Sequence, residues 1–234
     1  MNFKNEAISI KNELINIRRT LHQHPELGME EYETSEFIKN FLKNEGIEYK
    51  EVAKTGVCGI IRGTKEDNSN DKKTIALRGD IDGLPIIDKK NCEYSSKVEG
   101  RMHACGHDGH TTILLGAAKI LNNNKHLFSG NVKLLFEPAE ETIGGARFMI
   151  DEGVLENPRV DCVCGLHVEE NLECGTIMLK DGVVNAASNP FTIKIKGAGG
   201  HGAYPHTTVD PVVIASHIVL ALQTIVSREI NTAN

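Results

Sequence analysis

Between His103 and His110 the chain places three histidines, one cysteine and one aspartate within eight residues, His103-Ala104-Cys105-Gly106-His107-Asp108-Gly109-His110. Thiolate, imidazole and carboxylate together suit a borderline-soft divalent cation, zinc first, with cobalt, nickel or manganese where oxygen ligands dominate. Cys105 and His107 are two residues apart, a spacing that points side chains in divergent directions on a helix. Gly106 between them permits a tight turn that aims both at a common point. The competing reading is a polar loop before a helix, with Asp108 as its cap. That reading accounts for Asp108 and leaves Cys105 unexplained.

Glu140 and Glu141 are the second group. Adjacent acids allow one to hold a cation while the other acts as general base on water. Solvated acids at a helix start are the plain alternative. The company of the Cys105 cluster and of His167 favours the chemical reading. A closed structural zinc site would need four ligands at short, knuckle-like spacing, whereas these candidates are far apart in sequence. Arg78, Asp80 and Asp82 alternate on one face of a strand, either to orient a ligating imidazole or as a simple ion-pair ladder. His22 and His24 read as polar groups at a helix C-terminus rather than as ligands. Glycines around His201 let backbone approach a ligand and equally suit a turn.

The elements that must carry these residues alternate in type. Helical patterns cover Ala7 to Leu21, ended by Pro25, and Glu30 to Asn44, closed by Gly46. Apolar runs at Val57–Ile61 and Thr74–Leu77 read as strands, with the polar insert Lys65–Lys73 as an exposed hairpin loop. Helices over Thr111–Leu121 and Gly144–Ile150 precede strands at Val132–Phe136 and Val160–Leu166. The expected fold is α/β, a sheet with helices on both faces. Asp80 and Asp82, Glu137 with Glu140 and Glu141, and His167 each follow a strand. Ligands of open α/β sheets bind beyond those carboxyl ends.

After Gly182 the texture changes. Phe191, Ile193 and Ile195 alternate with Thr192, Lys194 and Lys196 as in a strand with one wet face, glycines follow, and Pro211–Val226 reads as a helix. One strand and one helix make a thin independent core. The expected division is therefore a metal-binding α/β domain over 1–184 and the beginning of a second domain over 185–234.

With 40% hydrophobic and 25% charged residues over 234 positions, the composition is that of an ordinary globular protein. A net charge of -6 without a Lys/Arg-dense block argues against nucleic acid or an anionic membrane and for a small-molecule substrate. The N-terminus lacks a signal-peptide core, and no later stretch is expected to approach a membrane span. Six cysteines are too few for a disulfide scaffold at this length, so reduced thiols and a cytoplasmic location are expected.

Taken together, the stretches HQHPELGMEE, LRGDIDGLP, MHACGHDGH, FEPAEE, GLHV and GAGGHGAYPHTTVDP resemble the aminoacylase-type metallopeptidase family, in the branch with hippurate hydrolase and the plant auxin–amino-acid amidohydrolases. The resemblance implies a catalytic domain with a central mixed sheet flanked by helices and a smaller α+β lid or dimerisation domain inserted into it. It implies two divalent metal ions, zinc or else manganese, cobalt or nickel, held by Cys105, His107, Glu141 and His167, with Glu140 as general base. It implies that His201 reaches toward substrate, often across a dimer interface. With Asp82, read above as a group that orients an imidazole, Glu140 and His201 complete the expected catalytic set. The implied substrates are N-acyl amino acids or peptide-like conjugates. Family chains are longer and supply a final histidine ligand from a later segment, so the present chain is expected to stop within its second domain. The rival expectations are a metal-binding or interaction module without turnover, a dipeptidase, and an N-acetyl-diaminopimelate deacetylase.

Overall fold

A computed structural model of the protein describes residues 2–67, 72–184 and 189–229. Its contacts group into two units, Met1–Cys174 and Gly175–Asn234. The change of texture after Gly182 predicts a boundary at 184/185, whereas residues 175–184 group with the second unit.

The first unit is a five-stranded mixed sheet flanked by helices. In chain order it runs α1 (Phe3–Ser9), α2 (Lys11–Gln23), α3 (Tyr32–Asn44), β1 (Glu48–Val52), β2 (Gly56–Arg62), β3 (Thr74–Asp80), α4 (His107–Asn123), β4 (Asn131–Glu137), α5 (Gly145–Asp151) and β5 (Cys162–Gly165). Strand order is β1-β2-β4-β3-β5. Strands β4, β3 and β5 are parallel neighbours, and β1 and β2 extend the sheet antiparallel from β4.

Side chains on β4 alternate between two cores, as a pleated strand requires. Leu134 and Phe136 pack with Ile17, Leu21, Ile38, Leu42, Leu114 and Leu115 from the helices, while Leu135 packs with Val52, Ala76, Met149 and Val154. Ile38 and Leu42 stand one turn apart on α3 and are fully buried. Burial of that extent stabilises by about 1.5–3 kcal/mol per side chain. The α3 N-terminus is held by Glu26, whose carboxylate accepts the N–H groups of Glu33 and Thr34 at 3.1 and 2.8 Å, an acid placed where the helix presents unpaired donors.

Several expectations change. The first helix breaks at Ile10 into α1 and α2. Strand β1 leaves no mark in the hydrophobic pattern, because Glu48, Tyr49, Lys50 and Glu51 carry little apolar signal on an edge strand. The segment after β2 is no hairpin loop: β4 lies between β2 and β3. Helix α4 begins at His107, so Asp108 sits inside its first turn and Gly106 occupies the cap at φ 86°. Glycine suits that left-handed position, and a Cβ there would also collide with Val168.

In the second unit, α6 (Pro211–Thr224) follows Asp210, whose side chain accepts the Val212 N–H at 2.8 Å. The expected strand over 191–196 has no partner among the described residues; the only pairing is the isolated bridge of Ala198 with Val209. Contrary to expectation, Pro211–Glu229 is long and apolar enough to cross a membrane by length and composition. Core helices of soluble proteins pass the same test, since packing against other elements also selects apolar side chains.

Candidate metal centre and active site

The parallel register brings three strand ends level. Asp80 at the end of β3 pairs with Glu137 at the end of β4, and Arg78 of β3 pairs with Gly165 of β5. The acids beyond β3 and β4, the histidine beyond β5 and the N-terminus of α4 therefore converge at one edge, the crevice position expected for a parallel sheet.

Two donor groups form there. One is Cys105, His107 and His167; the other is His107, Glu140 and Glu141; within each, one donor atom per residue lies within 4.8 Å of the others. His107 belongs to both. Its Nδ1–H donates to Asp82 Oδ1 at 2.9 Å, which turns Nε2 toward the other donors. That Nε2 is buried and has no hydrogen-bond partner; the nearest acid oxygens, on Asp80 and Glu141, stand 3.7 Å away. A buried, unpartnered imidazole nitrogen is costly unless something else fills its lone pair.

His167 is oriented in the same sense. Its Nδ1–H donates to the Val168 carbonyl at 2.6 Å, leaving Nε2 3.3 Å from Cys105 Sγ. Asp80, His107 and His110 also lie close enough to suggest a third cation group. His110, however, spends both nitrogens on protein partners. Nδ1 donates to Asp80 Oδ1 at 2.6 Å, and Nε2 accepts the Val168 N–H at 2.9 Å. His110 is thus a brace and not an open ligand.

The donors also perturb one another electrostatically. Burial, the hydrogen bond the thiol donates to Glu141 and the charges of Glu141, Asp80 and Glu140 push the Cys105 thiol up to about 12. Burial and the charges of Asp80 and Glu141 raise Glu140. Burial alone would lower His107, but the Asp82 hydrogen bond and the charges of Asp80, Asp82 and Glu141 outweigh it and raise the pKa. Each shift is the one expected of buried acids, thiol and imidazole crowded together. The residues therefore fit a divalent metal, with thiolate, imidazole and carboxylate as the donors.

The ladder of Arg78, Asp80 and Asp82 turns out to serve both readings. Arg78 binds Asp80 and Glu137, each at 2.6 Å, while Asp82 orients His107. His24 does cap its helix, its Nδ1 donating to the Thr20 carbonyl at 2.9 Å. His22 does not. It is fully buried, its Nδ1 2.7 Å from Asp108 Oδ2 and its Nε2 facing Lys90 Nζ at 2.8 Å. Spacing alone could not reveal a contact that spans 86 residues. His201 lies in the second unit, exposed, with Nδ1 accepting the Ala203 N–H at 3.2 Å.

Comparison with known proteins gives the same direction. The family model of peptidase family M20/M25/M40 matches residues 76–233. The N-acetyl-L-cysteine deacetylase of Bacillus subtilis (strain 168) is 48% identical over 224 residues, covering 95% of this chain and 52% of its own. The IAA-amino acid hydrolase ILR1-like 2 of Arabidopsis thaliana is 48% identical over 217 residues, covering 92% and 48%. The chain thus spans about half the length of these curated relatives. Among solved structures, the Bacillus subtilis YXEP protein, described as a dinuclear metal-binding peptidase of the M20 family, superposes with a TM-score of 0.69 at 43% identity over 74% of this chain and 48% of that one.

Proposed function

The chain belongs to peptidase family M20/M25/M40, and from that premise we propose that it carries the metal-binding half of an amidohydrolase acting on N-acyl amino acids. The observation that carries this reading is the buried, unpartnered Nε2 of His107, shared between the two donor groups. The relatives named for deacetylating N-acetyl-L-cysteine and for hydrolysing IAA-amino acids support the substrate class.

In this proposal Cys105, His107, Glu141 and His167 hold two divalent ions, zinc first, with manganese, cobalt or nickel as alternatives. Bound there, the metal supplies Lewis-acid polarisation of the scissile carbonyl and makes water more acidic. Glu140 is the base: its carboxylate takes a proton from water and returns it to the leaving amine. General-base catalysis of this kind is worth about 10²–10⁴-fold in rate. Asp82 holds His107 in the tautomer that presents Nε2. His201 keeps its proposed role as donor to the developing oxyanion: because Nδ1 accepts from Ala203, Nε2 carries the proton.

The reading also includes a cytoplasmic protein, supported by six free cysteines, and a homodimer through the second unit, supported by exposed Phe191, Val212 and Leu220. A panel of N-acetyl and N-benzoyl amino acids, dipeptides and N-acetyl-diaminopimelate, assayed with added zinc, manganese or cobalt, tests the function. Metal-dependent release of free amino acid is expected, lost in Glu140→Gln at unchanged metal content. A Glu140→Gln variant as active as the parent would remove Glu140 from the mechanism.

A further inference from the structure

The turn that carries Glu140 and Glu141 is held by a residue that belongs to neither donor group. Glu31, just before α3, is fully buried. Its Oε1 accepts the Ala139 N–H at 2.7 Å, across 108 residues of chain, and its Oε2 accepts the Thr55 hydroxyl at 2.6 Å. Ala139 is in the left-handed region at φ 52°, which a residue with a Cβ rarely adopts unless its surroundings impose it. Two residues on, the Glu141 N–H is held by Asp82 Oδ2 at 3.0 Å. Two carboxylates from separate parts of the chain therefore tether the backbone on either side of Glu140.

We propose that Glu31 is a positioning residue: by holding Ala139 in its left-handed turn it sets where Glu140 and Glu141 stand relative to His107. This rests on the metal-centre reading above. Glu31 touches neither substrate nor metal in this account, and acts through the Pro138-Ala139-Glu140 backbone. Without its oxygen the Ala139 N–H is buried with no acceptor, and the turn is free to relax to an ordinary conformation. Glu141 then moves relative to His107, although Asp82 still holds its N–H. The hydrogen-bond chemistry also predicts which substitution is tolerated. A glutamine offers its carbonyl to Ala139 and its NH₂ to the Thr55 oxygen, so both contacts survive the loss of charge. An aspartate, one methylene shorter, keeps the charge and loses the reach.

The test is zinc affinity, measured by competition with a chromophoric chelator, alongside thermal stability of the metal-free protein. Glu31→Ala and Glu31→Asp are expected to bind zinc roughly 10- to 100-fold more weakly, the range seen when groups that orient metal ligands are lost. Glu31→Gln is expected to bind as the parent does. If Glu31→Ala is not recovered folded, Glu31→Asp carries the same expectation. A zinc affinity unchanged in the folded Glu31→Asp or Glu31→Ala variant, with only thermal stability reduced, overturns the proposal and leaves Glu31 a structural residue. Failure of the parent protein itself to bind zinc would refute the underlying metal-centre reading, whatever the Glu31 variants do.

Discussion

Asp82 serves both donor groups with one carboxylate: Oδ1 accepts the His107 Nδ1–H at 2.9 Å, and Oδ2 accepts the Glu141 N–H at 3.0 Å. An imidazole from the start of α4 and a glutamate from the loop after β4 are thereby referred to the same two oxygens. Asp82→Asn leaves one oxygen and places an NH₂ against one of two donors. Metal affinity is expected to fall about 10- to 100-fold, as measured by isothermal titration of zinc. Affinity within error of the parent would show that His107 and Glu141 are held by other contacts.

His110 should act on metal binding only through His167. Val168 donates its N–H to His110 and its carbonyl accepts from His167, so the two rings hold the backbone of one residue. His110→Ala and His167→Ala are each expected to weaken zinc binding, and the double variant to be little worse than His167→Ala alone. Full additivity in that double-mutant cycle would mean that His110 works by another route.

Metal binding should release a proton from Cys105. With its thiol pushed up to about 12 in the metal-free protein, Cys105 is protonated at neutral pH and must ionise to ligate. Affinity should therefore rise with pH between about 6 and 9, and titrations in buffers of different ionisation enthalpy should show one proton fewer released by Cys105→Ser. Equal proton release from parent and variant would exclude Cys105 as a thiolate ligand.

His103 should make the metal-free protein acid-sensitive. Burial lowers its pKa from 6.5 to about 4, and neither ring nitrogen has a partner. Because the folded value lies below the unfolded one, the unfolded chain takes up the proton first. Stability is then unaffected above pH 6.5 and declines as pH falls toward 4, by up to about 3 kcal/mol for such a shift. Urea unfolding in a chelator at pH 7 and pH 4.5 should show a smaller loss for His103→Leu than for the parent. An identical loss in both would place the acid sensitivity elsewhere.

The chemistry-bearing residues were legible because cysteine, histidine and paired glutamates are conspicuous types, and because acids after strand ends point to a crevice. The strand order was not. β4 inserts between β2 and β3 through pairings that no local pattern encodes. The same limit hid the braces. His22 and Glu31 are ordinary polar residues in their own segments and His110 stands in the cluster like a ligand, whereas their roles come from partners 86, 108 and 58 residues away. In the second unit the alternation over 191–196 is genuine in the sequence, yet alternation specifies a face and not a partner, and no strand pairs there among the described residues.

Cobalt(II) titration of the metal-free protein, followed by absorption, tests the proposed metal centre most directly. A bound ion held by Cys105 gives an intense thiolate-to-cobalt charge-transfer band that grows to a stoichiometric end point and is absent in Cys105→Ser. Saturable binding without that band, or no binding in the parent protein, would contradict the account.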